Sequence, residues 1–180
     1  KSAGDEPSTL VIGVHGYASR GLEWVYPLAT LDSENTSTYF FRWDFKGCAD
    51  NGAQVLLSEI KELSETREID LIKLFGHSYG GVLAAILAGK WPLDMSVEIH
   101  TIAAPLSGIA RRASRCNYKA PGSLKSNVTL RQWRTIHELD GAFKGLARDP
   151  QIVEIPGSSS IRLPETYRGR RLGHNWSISW

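Results

Sequence analysis

Apolar positions fall in short blocks separated by polar, glycine-bearing segments, and their period changes along the chain. Residues 10–14 (LVIGV) form a continuous apolar run, which predicts a strand buried on both faces. Residues 38–45 (TYFFRWDF) are rich in aromatic side chains and predict a second strand. From Gly52 to Arg67 the period lengthens. Leu56, Ile60 and Leu63 recur at i, i+4 and i+7, with Glu59, Lys61, Glu62 and Glu65 between them, an amphipathic helix capped by Asp50 or Asn51. Residues 70–75 (DLIKLF) predict a third strand. Residues 80–90 (GGVLAAILAGK) predict a helix of small apolar residues close against a sheet, stopped at Trp91-Pro92.

Further strands are expected at 97–103, 132–139 and 152–155. A helix is expected over 140–148, loop over 106–129, and a last helical turn at 175–180. Strands alternate with helices, so the pattern predicts a mostly parallel sheet of about six strands with helices on both faces. The chain has 180 residues and neither repeat nor linker, so one domain spanning 1–180 is expected.

Residues 76–81 read GHSYGG, a Gly-x-Ser-x-Gly pattern directly after a predicted strand and before a predicted helix. A sharp turn there lifts the Ser78 hydroxyl above the sheet edge, and the glycines keep neighbouring backbone from colliding. The helix start beneath supplies N–H groups and partial positive charge to a developing oxyanion. Acyl transfer needs two such donors. Tyr79 follows the nucleophile and supplies one. Tyr17, in His15-Gly16-Tyr17 at the end of the first strand, supplies the other, with Gly16 allowing close approach.

A serine nucleophile needs a base. Of five histidines, His15 belongs to the oxyanion segment and His100 reads as a core residue inside a strand. His77 adjoins Ser78, where the elbow backbone points it elsewhere. His174, in a loop after the last predicted strand, is the expected base, with His137 second. The orienting carboxylate is Asp140, in a turn after a strand, ahead of Glu138 and Asp149. The chain order Ser78, Asp140, His174 is that of the α/β-hydrolase triad.

On these motifs the chain resembles the α/β-hydrolase superfamily, and within it small lipases and esterases. The matching pieces are VHGYAS (14–19), GHSYGG (76–81), IAAPLSG (102–108), LDGAF (139–143) and LGHNW (172–176). The resemblance implies carboxylic ester hydrolysis through an acyl-enzyme, with neither cofactor nor metal. It also implies a minimal α/β-hydrolase fold, in the size range of cutinases, with no large lid and an open site. Residues 104–108 (APLSG) are similar to the Pro-x-x-Gly stretch of many lipases. Gly16, Leu106 and Trp176, with the tyrosines 17 and 79, are the expected substrate contacts. The same triad also serves acyltransferases, thioesterases and peptidases. A non-catalytic binding protein on this scaffold would be expected to have a broken triad.

Composition narrows the partners. The net charge is +2 with 22% charged residues, which gives no general case for nucleic acid. Between Pro105 and Arg134 there are seven basic residues (Arg111, Arg112, Arg115, Lys119, Lys125, Arg131 and Arg134) and no acid. That is a solvated face, or a positive rim for anionic substrates or peripheral contact with a lipid surface. The expected partner is a small-molecule or lipid ester, and the expected state a monomer.

No apolar run approaches the roughly 18 residues of a membrane span. The opening KSAGDEPS lacks the layout of a signal peptide. Cys48 and Cys116 are either a disulfide or two unrelated thiols, and form no zinc pattern. A disulfide would argue for a secreted or periplasmic protein, two thiols for a cytoplasmic one.

Overall fold

A computed structural model describes residues 8–179, without the side chains of Arg111 and Arg112. Residues 1–7 of the opening segment and Trp180, named above, lie outside the described residues. Six strands form one parallel sheet in the order β2-β1-β3-β4-β5-β6. They are β1 (Thr9–Val14), β2 (Thr36–Phe41), β3 (Leu71–His77), β4 (Ser96–Ile102), β5 (Val128–Arg134) and β6 (Ser159–Arg162).

Alternation sorts their side chains. Leu10, Ile12 and Val14 of β1 face the same way as Ile72 and Leu74 of β3, Val97 and Ile99 of β4, and Leu130 of β5. Helices α2 (Ala49–Thr66) and α3 (Tyr79–Lys90) cover this face. Phe75, Ile102 and Trp133 point to the opposite face. There they meet Trp24 and Leu28, from a 3₁₀ turn (Leu22–Trp24) and helix α1 (Val25–Leu31), and Ile178 from helix α5 (Trp176–Ser179).

The strand order creates the site. The chain leaves β1 through α1 to the edge strand β2, then returns through α2 across to β3 on the other side of β1. Connections from the adjacent ends of β1 and β3 therefore run in opposite directions. A crevice opens at their carboxyl ends, where open α/β sheets bind ligands.

Several boundaries differ from expectation. The second strand stops at Phe41 because Trp43 turns off the sheet, its indole N–H donating to the His15 carbonyl (3.0 Å). The fifth spans 128–134 rather than 132–139, and a 3₁₀ turn (His137–Leu139) follows. Residues 152–155 (IVEI) are not a strand. The edge strand is instead the polar β6, whose partner on one side only leaves little hydrophobic signal.

Residues 140–148 make turns, and a five-residue helix α4 (Arg111–Arg115) interrupts the expected loop. A two-stranded hairpin, β7 (Thr166–Tyr167) and β8 (Arg170–Arg171), precedes the last loop. Helix α2 starts at Ala49 with Cys48 as its cap residue and Asp50 in its first turn. Cys48 and Cys116 form a disulfide across a separation of 68 residues, tying the start of α2 to the segment after β4.

Candidate active site

Ser78 is the single residue between β3 and α3. Its φ of 53° and ψ of −120° lie outside the favoured regions for an L-residue, a strain that the surroundings enforce. The Ser78 N–H donates to the Ile102 carbonyl (2.8 Å), and the Ser78 carbonyl accepts from Gly81 N–H (2.9 Å). The flanking glycines are obligatory on steric grounds. A Cβ at Gly76 would sit 2.5 Å from the Gly80 carbonyl oxygen, and one at Gly80 would sit 2.4 Å from that of Val14. Helix, elbow and β1 are thus packed backbone to backbone.

The loop between β8 and α5 carries His174 over the end of β3. The Ser78 hydroxyl donates to His174 Nε2 (2.9 Å), and His174 Nδ1–H donates to Asp140 Oδ2 (3.0 Å). Asp140 is fully buried. It also accepts from the Thr135 hydroxyl (2.5 Å) and from Ala142 N–H (2.9 Å). Burial alone would raise its pKa. The hydrogen bond and charge of His174, with the Thr135 and Ala142 donors, outweigh this and hold it below the ordinary carboxylate value. Buried Gln151 braces Thr135, accepting its N–H (2.9 Å) and donating to its carbonyl (3.2 Å). Neither Thr135 nor Gln151 carries a sequence signal, because their contacts with Asp140 and with each other arise only from the fold.

The His15-Gly16-Tyr17 segment lies beside Ser78. A Cβ at Gly16 would come within 2.9 Å of Ser78 Cβ. His15 shapes this loop, its Nδ1–H donating to the Gly16 carbonyl (2.8 Å) and its Nε2 accepting Trp43 N–H (3.3 Å). Tyr17 follows on the wall of a cleft of about 760 Å³ that also includes Leu22, Tyr26, Ser78, His174 and Trp176. A second cleft of about 480 Å³ shares His174, Asn175 and Trp176 and continues past Arg170 and Arg171.

Three expectations are corrected here. Leu106 does not line either cleft. It is buried in the core, because the chain folds back after β4, with Leu106 N–H donating to the Ala104 carbonyl (2.9 Å). The Tyr79 ring is likewise buried away from the cleft, its hydroxyl donating to the Gly47 carbonyl and accepting Ala49 N–H, both at 3.2 Å. Only its backbone remains at the elbow. His77 does not point elsewhere. It is buried on the cleft wall, and its Nε2–H donates to the His174 carbonyl (2.8 Å).

The other histidines lie outside the chain of bonds. His137 Nε2–H donates to the Phe143 carbonyl (2.9 Å). His100 stacks on Phe75 and accepts the Trp133 indole N–H (3.0 Å), as a core histidine does. Two residues of the basic segment are engaged within the protein. Arg131 pairs with Glu98 (3.6 Å), and Arg134 donates to Gln132 (2.8 Å) and to the Val153 carbonyl (3.0 Å).

No family model matches the sequence, and no curated protein matches it. Solved structures do. Est1E from Butyrivibrio proteoclasticus superposes with a TM-score of 0.66 at 11% identity, covering 94% of this chain and 81% of that one. The esterase domain of a Rhodothermus marinus protein gives 0.61 at 15% identity, covering 98% and 82%. An α/β serine hydrolase without lid from Xanthomonas campestris gives 0.52 at 15% identity, covering 92% and 73%. With its six-stranded parallel sheet, helices on both faces and serine elbow at the end of β3, this chain has a minimal α/β-hydrolase fold.

Proposed function

We propose that this protein is a serine hydrolase that cleaves carboxylic esters through Ser78, His174 and Asp140. One observation carries the reading: an unbroken chain of hydrogen bonds from a buried carboxylate through an imidazole to a serine held in strained geometry at a strand-to-helix turn. Ser78 Oγ attacks the ester carbonyl while its proton passes to His174 Nε2. The N–H groups of Tyr17 and Tyr79 hold the oxyanion. The tetrahedral intermediate expels the alcohol, which takes the proton back from His174. Water, activated by the same imidazole, then cleaves the acyl-enzyme. Asp140 keeps the proton on Nδ1 and stabilises the imidazolium.

Lipid esters are the proposed substrates, met by peripheral contact of a monomer with a lipid surface. The cleft rim supports this, with Leu22 79%, Tyr26 58% and Trp176 54% exposed beside Ser78. The disulfide supports a secreted or periplasmic location. The deciding assay is a series of p-nitrophenyl esters from acetate to palmitate on wild type and Ser78→Ala. Rates that rise with acyl length and vanish in the variant are expected. Activity on acetate and butyrate alone would make it a small-ester esterase. Absence of Ser78-dependent turnover on every ester would refute ester hydrolysis and leave thioester, amide or transfer chemistry.

A further inference from the structure

We infer that His77 is a positioning residue that locks His174 onto the nucleophile's own strand; this rests on the hydrolase reading above. His174 sits in a loop preceded by an exposed hairpin and followed by a four-residue helix, so no sheet hydrogen bond holds it. Its imidazole must nevertheless stay within hydrogen-bond reach of both Ser78 and Asp140. The fold supplies two clamps on its main chain. The His174 carbonyl accepts His77 Nε2–H at 2.8 Å and the Ser177 hydroxyl at 2.7 Å.

The first clamp is special because His77 is covalently adjacent to Ser78. A shift of the β3 end carries nucleophile and base together, and their 2.9 Å separation survives. The two imidazoles lie 5.0 Å apart. The other edge of the His77 ring faces the oxyanion loop, where a Cβ at Gly16 would sit 3.5 Å from Nδ1. One ring therefore spans from the oxyanion loop to the base loop.

Its protonation state suits the task. Burial, then the nearby His174, lowers the His77 pKa to about 3. His77 is therefore neutral near neutral pH, and its carbonyl partner puts the proton on Nε2. A neutral donor grips the loop without placing a second positive charge beside the imidazolium that forms during turnover.

The test compares His77→Gln, His77→Asn and His77→Phe with wild type. A glutamine amide reaches about as far as Nε2, whereas an asparagine amide stops a methylene short and phenylalanine fills the space without a donor. Misplacing the base by about 1 Å predicts a kcat lower by ten- to a hundredfold for Asn and Phe, with KM within about twofold. Labelling of Ser78 by a fluorophosphonate should slow in the same ratio, and Gln should restore most of both. The downfield proton signal of the His174–Asp140 hydrogen bond should persist in wild type and Gln and broaden in Asn. That signal reads the clamp even if no ester is hydrolysed. Wild-type kcat in folded His77→Asn, or equal behaviour of Gln and Asn in kcat and in the proton signal, would overturn the inference. A wild type that neither turns over esters nor reacts with the probe would instead refute the hydrolase reading.

Discussion

Replacing Cys48 and Cys116 together by alanine removes the disulfide, and the size of the loss follows from the loop it closes. The two residues are 68 positions apart. In the chain-entropy description a closed loop of that length constrains the unfolded state by roughly 4 kcal/mol. For a domain of this size each kcal/mol moves Tm by about 2–4 °C, so the variant should melt about 8–16 °C lower.

The link also has a local effect, since it ties the cap of α2 to the segment holding Ala113 and Tyr118, both buried in the core. Activity of the folded variant should remain close to wild type. Tyr79 approaches Cys116 Sγ at 3.7 Å, but its hydroxyl keeps its bonds to Gly47 and Ala49. Calorimetry of wild type with and without dithiothreitol, beside the double variant, checks this. Reductant should bring wild type down to the variant's Tm and leave the variant unmoved. A drop below about 3 °C would refute the reasoning and show that reduction frees the unfolded chain far less than the loop length implies.

Two further predictions concern the site. Asp140→Asn should lower kcat on p-nitrophenyl butyrate by about 10⁴-fold, because an amide at this position stabilises the wrong imidazole tautomer; steady-state kinetics on the purified variant reads this directly. Stability should also depend on His77 as pH falls. Its folded pKa, about 3, lies below the unfolded value of 6.5, so the unfolded chain takes up the proton first. The His77 contribution is therefore complete above pH 6.5, declines as pH drops toward 3, and levels off below. Urea titrations at a series of pH values should show His77→Gln flattening that decline, and parallel curves for variant and wild type would exclude the linkage.

Local chemistry made much of this protein legible in its sequence. The short apolar runs at 10–14 and 70–75, the helical period from Leu56 to Leu63 and the small-residue helix after Gly80 each satisfy their backbone hydrogen bonds within a few residues or in a buried sheet. Their order implied a parallel sheet. The elbow was legible because its Gly-x-Ser-x-Gly pattern is local: Gly76 answers to the close approach of β3 and α3, neighbours in sequence, although Gly80 answers to the end of β1. Where the signal is weak, as at the polar edge strand β6, periodicity located the wrong segment.

Tertiary structure decided the rest. His174 meets Ser78 across 96 residues and Asp140 across 34, distances over which no local pattern sets geometry. The burial of Leu106 and of the Tyr79 ring, the bracing of Asp140 by Thr135 and Gln151, and the disulfide all depend on which segments the sheet order brings together. His77 shows the division within one residue. Its place beside Ser78 is a fact of the sequence, but its bond to a carbonyl 97 positions away exists only because the last loop returns over the end of β3.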